Sequence, residues 1–219
     1  MKNILFYGDS NTWGNIAGTF DAKLMLHQRY EYGVRWTSLV QKLLGDDFHI
    51  IEAGLNGRTT SFDETHIVRP SRNGLATLPG ILDMNYPLDL VVLMLGTNDI
   101  KTQFHASVER ITEGMKQLIQ VVKTSHFGPD KKSPEILIIS PPPIFKAEGF
   151  AFDLFFDSTS IEKSHQLAAH YEKLAQETFC GFLEAGPLVK IDPKDGLHID
   201  QESQGIFAEA VAEKIKEML

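Results

Sequence analysis

The stretch Ile4-Leu5-Phe6-Tyr7-Gly8-Asp9-Ser10-Asn11 stands near the start of the chain and decides the fold that we predict. Its four apolar residues are typical of a strand, and the Gly8-Asp9 pair favours a sharp turn directly after it. Ser10 is thereby placed at the carboxyl end of a strand. Because ligand clefts of open α/β sheets lie along this edge, Ser10 is expected to face one.

Strand and helix patterns alternate along the rest of the chain. Four more strands are predicted, at Phe48–Glu52, Leu90–Leu95, Ile136–Ser140 and Phe182–Glu184. Helical spacing is found at Arg35–Leu44, Ser107–Val122, Ile161–Thr178 and Ser203–Leu219. This alternation predicts an α/β fold, a three-layer α/β/α sandwich around a five-stranded parallel sheet. A chain of 219 residues with 42% hydrophobic content is expected to form a single domain over residues 1–219.

The final helix has a predicted apolar face and a predicted cap. Asp200 or Ser203 is expected to cap its start. The residues that share its apolar face are Ile206, Ala210, Val211, Ile215 and Met218.

A possible acid and base lie near the other end of the chain. Asp195 and His198 are three residues apart, in a segment that begins with Asp192-Pro193. A serine hydroxyl is a poor nucleophile near neutral pH unless an imidazole accepts its proton and a carboxylate orients that imidazole. Ser10, His198 and Asp195 can fill these three roles, although Asp192 and Asp200 compete with Asp195 for the role of the acid.

Two further polar motifs can supply hydrogen-bond donors. Attack on an ester carbonyl places negative charge on its oxygen, and donors aimed at that oxygen are usually the largest catalytic term. Gly57 can bring its backbone N–H close to a substrate because it has no side chain. Asn98 offers its side-chain amide just after the strand Leu90–Leu95. We therefore predict an oxyanion hole made by Ser10 N–H, Gly57 N–H and the Asn98 side chain.

The blocks that contain Ser10, Gly57, Asn98 and His198 occur in the order found in the SGNH hydrolases, or GDSL esterases and lipases. The chain resembles this family over nearly its whole length, and it is most similar to the bacterial arylesterase and acyltransferase branch. Asn11 stands where the family name expects Leu, a change that concerns substrate contacts rather than the chemistry. The motifs shared with that branch are Thr12-Trp13-Gly14, Val34-Arg35-Trp36-Thr37, Arg58-Thr59-Thr60, Leu88-Asp89-Leu90, Leu95-Gly96-Thr97-Asn98-Asp99 and Ser140-Pro141-Pro142-Pro143.

The resemblance implies a flavodoxin-like strand order of 2-1-3-4-5 and a serine esterase. Such an enzyme hydrolyses small acetyl or aryl esters through an acyl-enzyme on Ser10, without a metal or organic cofactor. The family's three-residue spacing favours Asp195 as the acid. Acyl transfer to alcohols and hydrolysis of carbohydrate O-acetyl esters are alternatives. A non-enzymatic binding protein on a hydrolase fold would be expected to lose Ser10 or His198, and this chain keeps both.

The amino-acid composition narrows the classes of molecule that the protein is expected to bind. A net charge of −8 and an isoelectric point near 5.5 argue against nucleic acid and anionic membranes, which call for clustered Lys and Arg. A small-molecule ester is therefore the expected partner. Cys180 is the only cysteine, so an internal disulfide is excluded. Because the first apolar run is too short for a signal-peptide core, we expect a cytoplasmic protein.

Two segments, Asn15–Gly33 and Pro141–Asp157, fit neither strand nor helix. Both follow predicted strand ends, so they are expected to form a substrate pocket, a lid or a subunit interface, or else to fold back onto the core. Because such segments help to assemble oligomers in the related branch, we expect a homo-oligomer. Their large apolar residues include Phe20, Leu24, Met25, Leu26, Tyr30, Tyr32, Phe145, Phe150, Phe152, Phe155 and Phe156.

Three residues beside the predicted site have less specific roles. Asp9 is expected to brace the turn rather than to react. Arg58 is expected to pair with a nearby acid or to face the pocket, and the pairing is the safer interpretation. Trp13 can shape the substrate entrance, although burial alone would explain an aromatic residue there.

Overall fold

Five parallel strands form a sheet at the centre of the computed structural model, which describes residues 1–21, 23–24, 26–64, 70–147 and 150–219. The strand order β2-β1-β3-β4-β5 confirms the flavodoxin-like arrangement. Gly8 pairs with both Gly54 and Met94, so these three strands end at the same level. The strands are β1 (Lys2–Gly8), β2 (Phe48–Gly54), β3 (Leu90–Met94), β4 (Glu135–Ser140) and β5 (Gly181–Glu184).

Helices cover both faces of the sheet. They are α1 (Ser10–Trp13), α2 (Trp36–Leu44), α3 (Gly74–Asn85), α4 (Val108–Thr124), α5 (Phe150–Phe155), α6 (Ser158–Thr178) and α7 (Ser203–Met218). Leu5 and Tyr7 point into a core with α3, α4 and α6, while Ile4 and Phe6 point into a second core with α2 and α7. This alternation along β1 confirms the predicted three layers. Among the described residues, no helix has the length and hydropathy to cross a membrane.

Three helices were not predicted, and the first is α1, whose single turn of four residues is too short to show a period. α3 contains Pro79 and two glycines, which are poor helix formers, yet Asn73 caps its start and Leu78 and Leu82 are buried. Tertiary packing therefore outweighs local propensity in α3. α5 lies inside Pro141–Asp157, so the prediction that this segment contains no helix is wrong. A helix of six residues is too short to show a clear 3.6-residue period.

The buried face of α7 differs from the predicted one. Val211 and Ile215 are buried as expected, but Ile206 is 58% exposed and Phe207 is buried in its place. The ring of Phe207 packs on Trp36 of α2 at 4.9 Å, and this contact fixes the rotation of the helix. The N-cap residue is Glu202 rather than Asp200 or Ser203, but Asp200 Oδ1 accepts the N–H of Ser203, the first residue of α7, at 2.8 Å.

The segments Pro141–Asp157 and Asn15–Gly33 differ in how far their large apolar side chains are buried. Phe152 and Phe156 are buried in the core, so much of Pro141–Asp157 folds back onto the protein. In Asn15–Gly33, Tyr30 is buried. Met25 and the Phe150 side chain lie outside the described residues. The homo-oligomer stays a prediction. The exposed apolar residues of Asn15–Gly33 are Leu24, Leu26 and Tyr32.

The turn that carries Ser10 packs directly on the end of β2. A Cβ added to Gly54 would lie 2.3 Å from Trp13 N and 2.6 Å from Trp13 Cα, which are backbone atoms of α1. We expect Gly54→Ala to lower the free energy of unfolding by about 1–3 kcal/mol, because α1 must move to relieve this overlap. Urea denaturation of the variant and the wild type measures the difference.

Gly80→Ala is the matched control. Gly80 lies inside α3, and a Cβ there would meet no atom within 4 Å. This substitution is expected to stabilise the protein by about 0.5–1 kcal/mol, since Ala loses less backbone entropy in a helix. Equal stabilities of Gly54→Ala and the wild type would contradict the close packing of α1 on β2.

Candidate active site

Ser10, His198 and Asp195 form a continuous line of hydrogen bonds, as the sequence predicts. Ser10 is the first residue of α1 and is partly exposed. Its Oγ lies 2.9 Å from His198 Nε2, and His198 Nδ1 lies 2.7 Å from Asp195 Oδ2. This is the geometry in which an imidazole can accept a serine proton while a carboxylate holds its other nitrogen.

The Asp195 carboxylate is held by several donors. Its Oδ1 accepts the backbone N–H groups of Leu197 and His198 at 3.0 and 3.1 Å. Its Oδ2 also accepts the Gly18 N–H at 3.1 Å. Burial acts to raise the pKa of Asp195, but the hydrogen bonds and charge of His198 outweigh it, so the net pKa lies below its ordinary value. Asp195 is therefore ionised at neutral pH.

The two competing acids are occupied elsewhere. Asp192 Oδ1 accepts the Lys194 N–H at 2.9 Å, within the same loop. Asp200 Oδ1 accepts the Ser203 N–H at the start of α7. Within the described part of the chain, neither carboxylate hydrogen-bonds the His198 ring, so the structure brings only Asp195 to it.

The three predicted oxyanion donors follow the ends of β1, β2 and β3. Within the residues described, the backbone N–H groups of Ser10 and Gly57 donate to no protein acceptor. Asn98 Nδ2 donates to the Arg58 carbonyl at 3.1 Å and makes a long contact of 3.5 Å with Asp9 Oδ2. One amide hydrogen of Asn98 is thus firmly engaged and the other only weakly. Gly57 has a φ of +83°, a conformation that suits glycine.

Two buried acids support this edge of the sheet. Asp9 Oδ1 accepts the Asn11 N–H at 3.0 Å and caps α1, in agreement with its predicted bracing role. Asp99 accepts the Thr60 N–H at 2.9 Å, a link that sequence reasoning missed. Burial raises the pKa of Asp9 to about 6 and that of Asp99 to about 7. Such shifts collect around functional sites because buried carboxyls are kept there for their geometry.

Arg58 forms no ion pair among the described residues, although its charge acts to lower the pKa of the nearby Asp9 carboxyl. Arg58 is buried, and its Nη1 donates to the backbone carbonyls of Gly8, at 2.8 Å, and Ala53. Its guanidinium lies 4.0 Å from the centre of the Tyr7 ring. Arg58 thus joins the ends of β1 and β2 by hydrogen bonds, since backbone carbonyls at a strand end are ready acceptors. Trp13 is half-buried beneath the guanidinium of Arg29, and its role at the entrance stays a prediction.

An ion pair beside the oxyanion donors was also missed. Lys101 Nζ lies 3.0 Å from Glu64 Oε1, and both side chains are about nine-tenths buried. A Cβ on Gly57 would lie 3.5 Å from Glu64 Oε2. The pair therefore connects the loop after β2 with the loop after β3. This contact could not be predicted, because neither Glu64 nor Lys101 lies in a sequence motif that indicates the other residue as its partner.

The segment Asn15–Gly33 reaches His198 through the ring of His27. The His27 ring lies edge-on to the His198 ring at 6.4 Å between centroids. Phe20 packs on His27 at 4.8 Å. Both rings are half-buried and so form an aromatic wall beside His198. Within the described residues, no group of three or more His, Cys, Asp or Glu is arranged to hold a metal ion.

Known proteins resemble this chain in sequence and in fold. The model of the GDSL-like lipase/acylhydrolase family matches residues 6–204. The structure of an aryl esterase from M. smegmatis is 36% identical, with a TM-score of 0.91 over 100% of both chains. A carbohydrate acetylesterase family member from Sinorhizobium meliloti is 39% identical, with a TM-score of 0.88 over 100% of this chain and 99% of that one.

A curated relative is considerably longer than this chain. The acetylxylan esterase of Xylanibacter ruminicola is 25% identical over a match that covers 87% of this chain but 40% of that protein. The chain therefore spans less than half the length of this relative. The family match, together with esterase structures that align with the chain from end to end, shows that the chain belongs to the GDSL-like lipase/acylhydrolase family, the SGNH hydrolases.

Proposed function

We propose that the chain acts as a serine esterase that hydrolyses small acetyl or aryl esters through an acyl-enzyme on Ser10. The observation that carries this proposal is the hydrogen-bonded line from Ser10 Oγ through His198 to Asp195. Membership of a family of acylhydrolases supports the same reaction class. A binding protein without activity would have no need to keep this line intact.

In the first half-reaction, Ser10 Oγ attacks the ester carbonyl carbon while His198 Nε2 takes the hydroxyl proton. The carbonyl π electrons move onto oxygen, and Asp195 stabilises the imidazolium through Nδ1–H. When the tetrahedral intermediate collapses, the C–O bond to the alcohol breaks and His198 gives its proton to the leaving oxygen. The acyl group then remains on Ser10.

In the second half-reaction, His198 takes a proton from water as its oxygen attacks the acyl carbon. When the second tetrahedral intermediate collapses, its bond to Ser10 Oγ breaks, His198 gives its proton to that oxygen and the carboxylic acid is released. An alcohol in place of water would give a new ester. The backbone N–H groups of Ser10 and Gly57 and the side-chain N–H of Asn98 are proposed to hold the oxyanion in both steps.

The surroundings of His198 support a flat or ring-shaped alcohol portion. Phe20 and His27 lie beside His198, the residue that gives its proton to the leaving group in the proposed reaction. An aromatic wall suits the face of an aryl ring and also the apolar face of a sugar. The second candidate function is therefore removal of O-acetyl groups from carbohydrate, which the names of two similar proteins also favour.

Acetate release from p-nitrophenyl acetate and from acetylated xylo-oligosaccharides tests the proposal. We expect activity on at least one of them and covalent labelling of Ser10 by a fluorophosphonate, located by mass spectrometry. The ratio of the two specificity constants (kcat/KM) distinguishes aryl from sugar esters, and added methanol reveals transfer as methyl acetate. The proposal is refuted if neither ester is cleaved and Ser10 is not labelled.

A homo-oligomer and a cytoplasmic location stay predictions. Leu24, Leu26 and Tyr32 support the first, because all three are exposed on one segment and subunit interfaces bury apolar surface of this kind.

A further inference from the structure

The side chain of Asn11 contacts the backbone on both sides of His198. Its Nδ2 donates to the Leu197 carbonyl at 3.2 Å, and its Oδ1 accepts the Ile199 N–H at 2.9 Å. Asn11 is 4% exposed, so neither bond is open to competition from bulk water. The expectation that Asn11 alters substrate contacts is therefore wrong, because both polar atoms of its amide bind the protein.

Asn11 is itself held firmly. Its N–H donates to Asp9 Oδ1 at 3.0 Å, and its carbonyl accepts the Trp36 indole N–H at 2.9 Å. Trp36 is fully buried between Phe6 and Phe207, with ring centroids 4.9 Å away on each side. The residue next to Ser10 is thus anchored in the core beneath the sheet edge.

The loop that carries His198 needs such an anchor. The His198 N–H donates to Asp195, and its carbonyl accepts the Asp192 N–H at 2.8 Å. Both contacts lie within the loop, and two further bonds, from Phe145 N–H to the Gly196 carbonyl and from Gly18 N–H to Asp195, tie it to other segments rather than to the turn that carries Ser10. Asn11 ties the loop to the turn that carries Ser10, although the two are 188 residues apart in sequence.

We propose that Asn11 is a positioning residue, which holds His198 Nε2 within hydrogen-bonding distance of Ser10 Oγ. The inference rests on the proposed function. Proton transfer from Ser10 requires a short, aligned contact, and a displacement of about 1 Å at a reacting group can cost about a hundredfold in rate. A Leu at this position, as the family name expects, has the same number of side-chain heavy atoms and the same branching as Asn but can make neither hydrogen bond.

Asn11→Leu tests the proposal because it removes both hydrogen bonds and keeps a side chain branched at Cγ with the same number of heavy atoms. We expect kcat on p-nitrophenyl acetate to fall about 10- to 100-fold while KM changes less than about threefold. The rate at which a fluorophosphonate labels Ser10 should fall in proportion, since that reaction also needs His198 as a base. Asn85→Leu, at the end of α3 where Asn85 Nδ2 donates to the Ile81 carbonyl, is the control and should leave kcat unchanged.

Urea denaturation and near-ultraviolet circular dichroism establish that each variant is folded. If Asn11→Leu does not fold, Asn11→Ala leaves room for water to satisfy Leu197 and Ile199, and the same loss of kcat is expected. A folded Asn11 variant with wild-type kcat would overturn the inference, and so would a rise in KM at constant kcat. A wild type that is neither active nor labelled would instead refute the proposed function.

Discussion

Ser10→Ala is expected to lower kcat on p-nitrophenyl acetate by about 10⁴-fold or more, while the protein stays folded. The variant has no hydroxyl to form the acyl-enzyme, so only the weak background from the remaining donors can persist. The side-chain hydrogen bond of Ser10 is made to His198, at 2.9 Å, and α1 keeps its cap on Asp9. The free energy of unfolding should therefore change by less than about 1 kcal/mol.

Steady-state kinetics and urea denaturation on the same preparations measure both effects. Ser133→Ala is the control, because Ser133 is exposed and lies just before the start of β4, at the opposite edge of the sheet. Its kcat should equal that of the wild type. Wild-type esterase activity in folded Ser10→Ala would show that another group is the nucleophile.

The three central strands of this fold, β1, β3 and β4, were predictable because each contains a buried apolar run, whereas β2 and β5 are only partly buried. β3 is an example, since all five of its residues are buried and none is polar. Parallel sheets covered on both faces require such runs. The rotation of α7 could not be predicted in the same way. Ile206 and Phe207 are adjacent and equally apolar, and only the contact of Phe207 with Trp36 decides which is buried.

Some residues of the candidate site were also predictable from the sequence, and others were not. Ser10, Gly57, Asn98 and His198 could be picked out because a reaction requires particular groups in particular motifs. Arg58 could not, because its acceptors are backbone carbonyls, which carry no sequence signal. Asn11 shows the same limit: its partners are main-chain groups of a loop far away in sequence. Chemistry can be inferred from residue types, whereas the supports of that chemistry depend on three-dimensional packing.

Asp195→Asn is expected to lower kcat by about 10³- to 10⁴-fold. The Oδ1 position faces two backbone N–H donors, from Leu197 and His198, whereas Oδ2 faces only one, from Gly18, so we expect the oxygen of Asn to take the Oδ1 position. Its NH₂ group then occupies the Oδ2 position and faces His198 Nδ1. To accept that donor, the imidazole must carry its proton on Nε2, where it points at Ser10 Oγ and cannot take the serine proton.

Asp195→Asn should therefore lose base function rather than binding, so kcat should fall while KM changes little. Asp192→Asn is the matched control. Asp192 lies in the same loop and its Oδ1 accepts the Lys194 N–H, a bond that Asn preserves, so kcat should stay within about threefold of wild type. Measuring kcat of both variants on p-nitrophenyl acetate separates the two acids. A large loss in Asp192→Asn with none in Asp195→Asn would reassign the acid, because the loop would then have to rearrange before His198 could act.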